Sequence, residues 1–136
     1  MATMKRRCLP ELQRVFKQFP AVAILGARQV GKSTLLRQML PQPKLFDLAR
    51  VADFELMHHD IDSFLDQQEH PVIFDEAQLI PALFAALCHQ IDKNNQKPGE
   101  YLLSGSSSPL LLKQIHPSLA GRIAICELGS WPSITA

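Results

Sequence analysis

Along most of this chain, short apolar runs of strand length alternate with longer stretches whose apolar residues recur every three or four positions. An uninterrupted apolar run is typical of a parallel strand covered on both faces, and the longer spacing is typical of an amphipathic helix. Strands that alternate with helices form right-handed βαβ units, so the pattern predicts an α/β fold with helices on both faces of a parallel sheet. The predicted strands are residues 21–25, 44–48, 72–76, 101–105 and 123–128.

The two ends of the chain lie outside this alternation. Before the first strand, apolar residues recur with helical spacing, and we predict a short amphipathic helix at 9–19. After the last strand, the chain becomes polar and contains a proline. We therefore predict one domain at 1–128, followed by a short tail at 129–136.

Composition limits the classes of function without selecting one. The 136 residues are 46% apolar and 20% charged, and the net charge is +1, which is ordinary for one globular domain. So small a net charge gives no field that would favour nucleic acid or a membrane surface. No apolar run approaches the roughly 20 residues of a membrane span, and we expect a cytoplasmic protein.

The segment GARQVGKST, between the first predicted strand and the helix after it, is polar and rich in glycine. It fits the pattern G-x-x-x-x-G-K-[ST] at every defined position, and between a strand and a helix this pattern indicates a Walker A loop. The glycines let successive backbone N–H groups point inward, where the positive end of the helix dipole also favours phosphate. The predicted nucleotide-binding residues are Gly26, Ala27, Arg28, Gln29, Val30, Gly31, Lys32, Ser33 and Thr34.

Individual side chains of this loop have separate expected roles. We expect Lys32 to reach the β and γ phosphates, Ser33 to ligate Mg²⁺ and Thr34 to contact the α phosphate. Arg28 either touches phosphate or faces water. The loop therefore predicts ATP and Mg²⁺ as ligands, while the residues themselves leave the choice between ATP and GTP open.

A pair of carboxylates ends the third predicted strand, in the segment VIFDE. Asp75 is suited to hold the hydrated Mg²⁺, and Glu76 beside it is suited to take a proton from the attacking water. The same pattern also occurs at ordinary solvated strand ends. Because ligands of parallel sheets bind at the carboxyl ends of the strands, we expect both carboxylates to lie beside the Walker A loop.

Hydroxyl groups end the fourth predicted strand, in the segment YLLSGSSSP. Related ATPases place a polar residue here that senses the γ phosphate or orients water, and Ser104 is our first candidate, followed by Ser106. These serines are also suited to cap the helix that begins near Pro109. Arg122 precedes the fifth strand, away from the phosphate edge, and is either an arginine offered to a neighbour's nucleotide or one partner of a surface ion pair.

The segments LGARQVGKSTLLRQML, PVIFDEAQLIPALFAAL and YLLSGSSSPLLLKQIHPSLAGRIAICEL together resemble the uncharacterised AAA-type ATPases of prokaryotes that carry a C-terminal domain of unknown function. The likeness spans nearly residues 20 to 128. It implies an AAA+-like, three-layer P-loop core with strand order 5-1-4-3-2, with ATP and Mg²⁺ as ligands. It also implies that the functional positions are Lys32, Ser33, Asp75 and Glu76, with a polar sensor at Ser104 to Ser106 and an arginine at Arg122.

Proteins of this family continue well beyond the fifth strand, whereas this sequence ends soon after it. The leading hypothesis is Mg²⁺-dependent ATP hydrolysis, slow in this form. The alternative is a nucleotide-dependent binding switch, or an inactive fragment, that holds ATP with little hydrolysis. A partner would be a second copy of the chain or an unidentified protein.

Overall fold

The computed structural model describes residues 2–26, 32–39, 44–106, 108–128 and 133–135. The strands are β1 (Ala21–Leu25), β2 (Lys44–Asp47), β3 (Val72–Asp75), β4 (Tyr101–Gly105), β5 (Ile123–Glu127) and β6 (Ser133–Thr135). The helices are α1 (Ala2–Phe16), α2 (Lys32–Met39), α3 (Val51–His58), α4 (Ile61–Asp66), α5 (Ala82–Lys93) and α6 (Pro109–Leu119). A 3₁₀ turn, Ala77–Leu79, follows β3.

The strands form one sheet in the order β2-β3-β4-β1-β5-β6. The first five strands of this order pair in parallel, which confirms the α/β class and the order 5-1-4-3-2. The sheet has one strand more than predicted, because β6 pairs with β5 in antiparallel orientation within the stretch expected to be a tail. Strand pairing at a sheet edge uses backbone groups, so the polar side chains there did not indicate it.

Two layers of helices cover the sheet, because its central strands are apolar on both faces. In β1, Ala21, Ala23 and Leu25 pack into a cluster with residues of α3 to α6, and Val22 and Ile24 pack into a second cluster with residues of α1 and α2. All five side chains are at most 1% exposed. This double coverage is the reason that β1 has an uninterrupted apolar sequence.

Helix α1 differs from the predicted helix at both ends. It begins at Ala2 rather than residue 9, and the apolar spacing that led to the prediction belongs to residues such as Leu12, which pack on the sheet. It ends at Phe16 rather than residue 19, where backbone hydrogen bonds from Gln18 and Phe19 to Val15 form a turn. Apolar periodicity predicts the part of a helix that carries a regular apolar stripe, so it sets the helix ends less well than its position.

Within the described ranges, each helix is too short or too polar to cross a lipid bilayer.

Candidate functional site

The polar segments after β1, β3 and β4 meet at the carboxyl edge of the sheet. Leu25 at the end of β1 pairs with Gly105 at the end of β4, and the Gly26 N–H donates a hydrogen bond to the Gly105 carbonyl (3.1 Å). On the other side of β4, Phe74 pairs with Leu103, so that β3 ends beside it. The parallel register therefore brings three segments that are far apart in sequence to one place.

Part of the predicted loop lies outside the described residues: Ala27, Arg28, Gln29, Val30 and Gly31, together with the side chain of Ser33. Thr34, in the first turn of α2, is exposed.

Lys32, the first residue of α2, extends its side chain across the end of β4. Its Nζ donates a hydrogen bond to the Gly105 carbonyl (2.9 Å) and lies 3.3 Å from Oε1 of Glu76. The residue is only 3% exposed. A buried ammonium group is costly unless it is paired, so the lysine needs an anionic partner at this position, and Glu76 supplies it.

Asp75 and Ser104 lie side by side at the ends of β3 and β4. Ser104 Oγ donates a hydrogen bond to Oδ1 of Asp75 and accepts one from the backbone N–H of Glu76 (3.1 Å). Asp75 is 7% exposed and Ser104 is 1% exposed. The hydroxyl of Ser104 therefore binds both residues of the carboxylate pair and holds their segment against β4.

Glu76 has a backbone conformation that is rare for a residue with a side chain. Its φ and ψ of 60° and 49° lie in the left-handed region, immediately before the 3₁₀ turn. Such conformations cost free energy and persist where the surroundings enforce them, often at functional sites. Here the sharp turn leaves the Glu76 carboxylate beside Lys32, whereas the side chain of Asp75 faces Ser104.

Gln78 belongs to the site and was missed in the sequence. Its Nε2 donates hydrogen bonds to Oε2 of Glu76 (2.8 Å) and to Oγ of Ser106 (3.3 Å). Ser106, the second serine candidate, is exposed and contacts the site through this amide. The sequence did contain a signal for it. In the segment DEAQLI, Gln78 is a lone polar residue two positions after Glu76, with apolar residues on either side of it.

Arg122 is not brought to this edge. It precedes β5 at the amino edge of the sheet and makes a two-bond ion pair with Asp92 at the end of α5 (2.8 and 2.9 Å). The hydrogen bonds from Arg122 are the main reason that the pKa of Asp92 falls to about 2, and the same pairing raises the pKa of Arg122. In this structure the arginine therefore serves as an ion-pair partner of α5.

Comparison with known sequences gives the family. The sequence profile of the AAA domain family matches residues 18–132. The uncharacterized proteins Mb2031c of Mycobacterium bovis and Rv2008c of Mycobacterium tuberculosis are each 32% identical to the chain over 136 aligned positions. These alignments take in 94% of this chain and 29% of each relative, so the chain spans less than a third of their length.

Comparison with solved structures gives the same fold. The S. cerevisiae Hsp104–ADP complex matches with a TM-score of 0.51 and 12% identity, over 90% of this chain and 22% of that one. The cytoplasmic domain of EssC matches with a TM-score of 0.50 and 16% identity, over 85% of this chain and 31% of that one. Because the family profile covers most of the chain, the chain belongs to the AAA domain family and forms an AAA-type ATPase core.

Proposed function

We propose that the carboxyl edge of the sheet binds ATP with Mg²⁺ and hydrolyses its terminal phosphate. The observation that carries this proposal is the buried Lys32, which contacts the Gly105 carbonyl and the carboxylate of Glu76. Asp75 is the residue before Glu76 in the chain. A buried cation paired with one carboxylate, after a glycine-rich loop and with a second carboxylate next to the first in the chain, is the arrangement expected for holding a polyphosphate and its metal ion.

The phosphate part of the site would consist of Gly26 to Thr34, the proposed Walker A loop. Lys32 is buried and is paired with a carboxylate that has other hydrogen-bonding partners available. Phosphate oxygens would replace Glu76 as the anionic partner of Lys32, so the lysine would stay neutralised in both states.

The donor groups fit a magnesium ion. Asp75 offers a largely buried carboxylate at a strand end, and hard oxygen ligands of this kind are those that Mg²⁺ prefers. From the sequence, Ser33 would supply the second ligand. When bound, Mg²⁺ would neutralise charge that develops on the phosphate oxygens. Asp75 would be held in position for this by the hydroxyl of Ser104.

Glu76 would act as the general base of the hydrolysis. As the water oxygen forms its bond to the γ phosphorus, a water proton passes to the Glu76 carboxylate. The bond between the γ phosphorus and its bridging oxygen breaks, and its electron pair leaves on ADP. Release of Glu76 from Lys32 on phosphate binding would free Oε1, the oxygen that Lys32 occupies in this structure.

The other predicted residues have more limited proposed roles. Ser104 is proposed as the residue that holds the carboxylate segment. The structure of Hsp104, which has the same fold, was solved as a complex with ADP, which supports a nucleotide as the ligand proposed here. Arg122 would act only on the nucleotide of a neighbouring copy, after leaving Asp92. A cytoplasmic location remains part of the proposal.

A second candidate function is a switch that binds ATP with little hydrolysis. The ion pair between Lys32 and Glu76 favours it, because a base that stays on this lysine is not available to water. The two functions share the phosphate site and differ only in turnover.

The test compares Lys32→Ala with Lys17→Ala, a matched control on an exposed lysine beyond the end of α1. Equilibrium binding of labelled ATP should weaken about 10- to 100-fold in Lys32→Ala, because a charge-assisted hydrogen bond contributes about 1.5–3 kcal/mol. Lys17→Ala should bind like the parent. If the parent does not bind ATP, or if both variants bind it equally, the proposed site is wrong.

Asp75→Asn and Glu76→Gln then separate the two functions. Asp75→Asn should bind ATP with a smaller gain from added Mg²⁺, and Glu76→Gln should retain ATP while phosphate release slows. Phosphate release that is equal in Glu76→Gln and the parent would favour the switch.

A further inference from the structure

Gln78 makes a specific contact with the carboxylate of Glu76. Its Nε2 lies 2.8 Å from Oε2 of Glu76, at the short end of the usual range for this hydrogen bond. The backbone holds the two residues in one tight turn, because the Leu79 N–H donates to the Glu76 carbonyl (3.1 Å). The turn therefore fixes the position of Gln78 relative to Glu76.

The orientation of the Gln78 amide is determined by its neighbours. Among the described residues, its Nε2 meets two acceptors, Glu76 Oε2 and Ser106 Oγ. Its Oε1 is buried, with no hydrogen-bond partner among the described residues. That oxygen lies against Gly105, where a Cβ would come within 2.8 Å of it, so a glycine at the end of β4 provides the space for the amide.

The two oxygens of Glu76 have different partners. Oε1 pairs with Lys32, and Oε2 accepts from Gln78. If Lys32 turns to phosphate, as the proposed function requires, Oε1 loses its cation while Oε2 keeps its amide. The contact with Gln78 would then decide which way the carboxylate faces.

We infer that Gln78 is a positioning residue for Glu76, which keeps Oε2 fixed so that Oε1 is presented to the attacking water after Lys32 turns to the phosphates. This inference rests on the proposed ATP hydrolysis. It assigns Gln78 no contact with the nucleotide, so it predicts an effect on turnover and none on affinity.

The test uses Gln78→Leu, which retains the approximate size of the side chain and removes its donor. Gln68→Leu is the matched control: Gln68 is also half-buried, donates through Nε2 to a carbonyl (3.2 Å, Phe64) and has a buried Oε1 without a partner among the described residues. Each variant is made in the parent and in Glu76→Gln. Equilibrium ATP binding and single-turnover phosphate release, with protein in excess, are measured for all of them.

Gln78→Leu should slow single-turnover hydrolysis about 10- to 100-fold, since a small displacement of a reacting group can cost about 100-fold in rate. Its ATP affinity should stay within about three-fold of the parent, and in the Glu76→Gln background it should change the rate less than about two-fold. Gln68→Leu should match its parent in both backgrounds.

The outcomes distinguish this inference from the proposed function. If Lys32→Ala and Glu76→Gln behave as expected but Gln78→Leu hydrolyses ATP like the parent, only the role of Gln78 is wrong. A rate loss of equal size in the Glu76→Gln background, or a loss of affinity alone, would also refute positioning. If the parent hydrolyses ATP no faster than Glu76→Gln, both the base and its positioning residue are refuted.

Discussion

Replacing Gly105 by alanine should destabilise the protein, although the site residues themselves are unchanged. A Cβ at this position would come within 2.8 Å of Oε1 of Gln78 and within 2.8 Å of Cδ2 of Leu111, closer than real Cβ atoms approach. Leu111 is 2% exposed and has little room to retreat. The side chain of Gln78 is flexible and half-buried, but a shift of its Oε1 would also move the amide nitrogen that contacts Glu76.

The expected cost follows from this double contact. Forcing an extra carbon into a packed site typically costs about 1–3 kcal/mol, and we expect Gly105→Ala to lose that much free energy of unfolding. Urea unfolding should show a lower midpoint with an unchanged slope, because the surface exposed on unfolding stays the same. In the Gln78→Ala background one of the two contacts is absent, so the cost of Gly105→Ala should be smaller there.

ATP binding gives an independent check on the same variant. Lys32 contacts the carbonyl of Gly105 and not its Cα, so the alanine should leave ATP affinity near that of the parent while it slows hydrolysis through Gln78. A free energy of unfolding within about 0.5 kcal/mol of the parent, the usual range for substitutions that touch nothing, would refute the packing argument. An equal cost in the Gln78→Ala background would show that Leu111 alone opposes the methyl group.

The remaining predictions concern charge. Glu76→Gln should bind ATP about 5-fold more tightly than the parent, because Lys32 then leaves a neutral hydrogen bond rather than an ion pair; equal or weaker binding in a titration would contradict this. The pKa of Asp92 is lowered from 3.8 to about 2, so its ion pair with Arg122 stabilises the fold at pH values above 3.8. This stabilisation is lost as the pH falls from 3.8 through about 2. The difference in urea midpoint between the parent and Asp92→Asn should therefore shrink between about pH 5 and pH 2, and a constant difference would refute the pairing. Arg122→Ala should abolish any increase of turnover with protein concentration; an increase that persists would exclude Arg122 as the cause.

The sequence by itself determined the layered architecture. The residues of β1 are apolar at every position because both faces of the strand are covered, and that information is local. The sequence also predicted that Lys32 lies at the start of a helix after a glycine-rich segment, because the residues of this motif are contiguous. The strand order followed from the resemblance to a family rather than from the periodicity of the residues.

Tertiary structure alone decided which polar groups touch. Ser104 fits both a phosphate sensor and a helix cap in the sequence, and only the register of β3 beside β4 directs its hydroxyl at Asp75. Gln78 gave a weak sequence signal because its role depends on the left-handed turn at Glu76. Arg122 likewise found its partner, Asp92, 30 residues away at the opposite edge.

The physical reason is the range of the interactions. Apolar periodicity reports how each residue is buried within its own element, because the hydrophobic effect depends on area removed from water and has no direction. Hydrogen bonds and ion pairs require atoms within about 3–4 Å with suitable geometry, and at this site the bonded residues are separated by up to 73 positions in the chain. Local sequence can place Lys32 on a helix, but only the folded sheet brings it to Gly105 and Glu76.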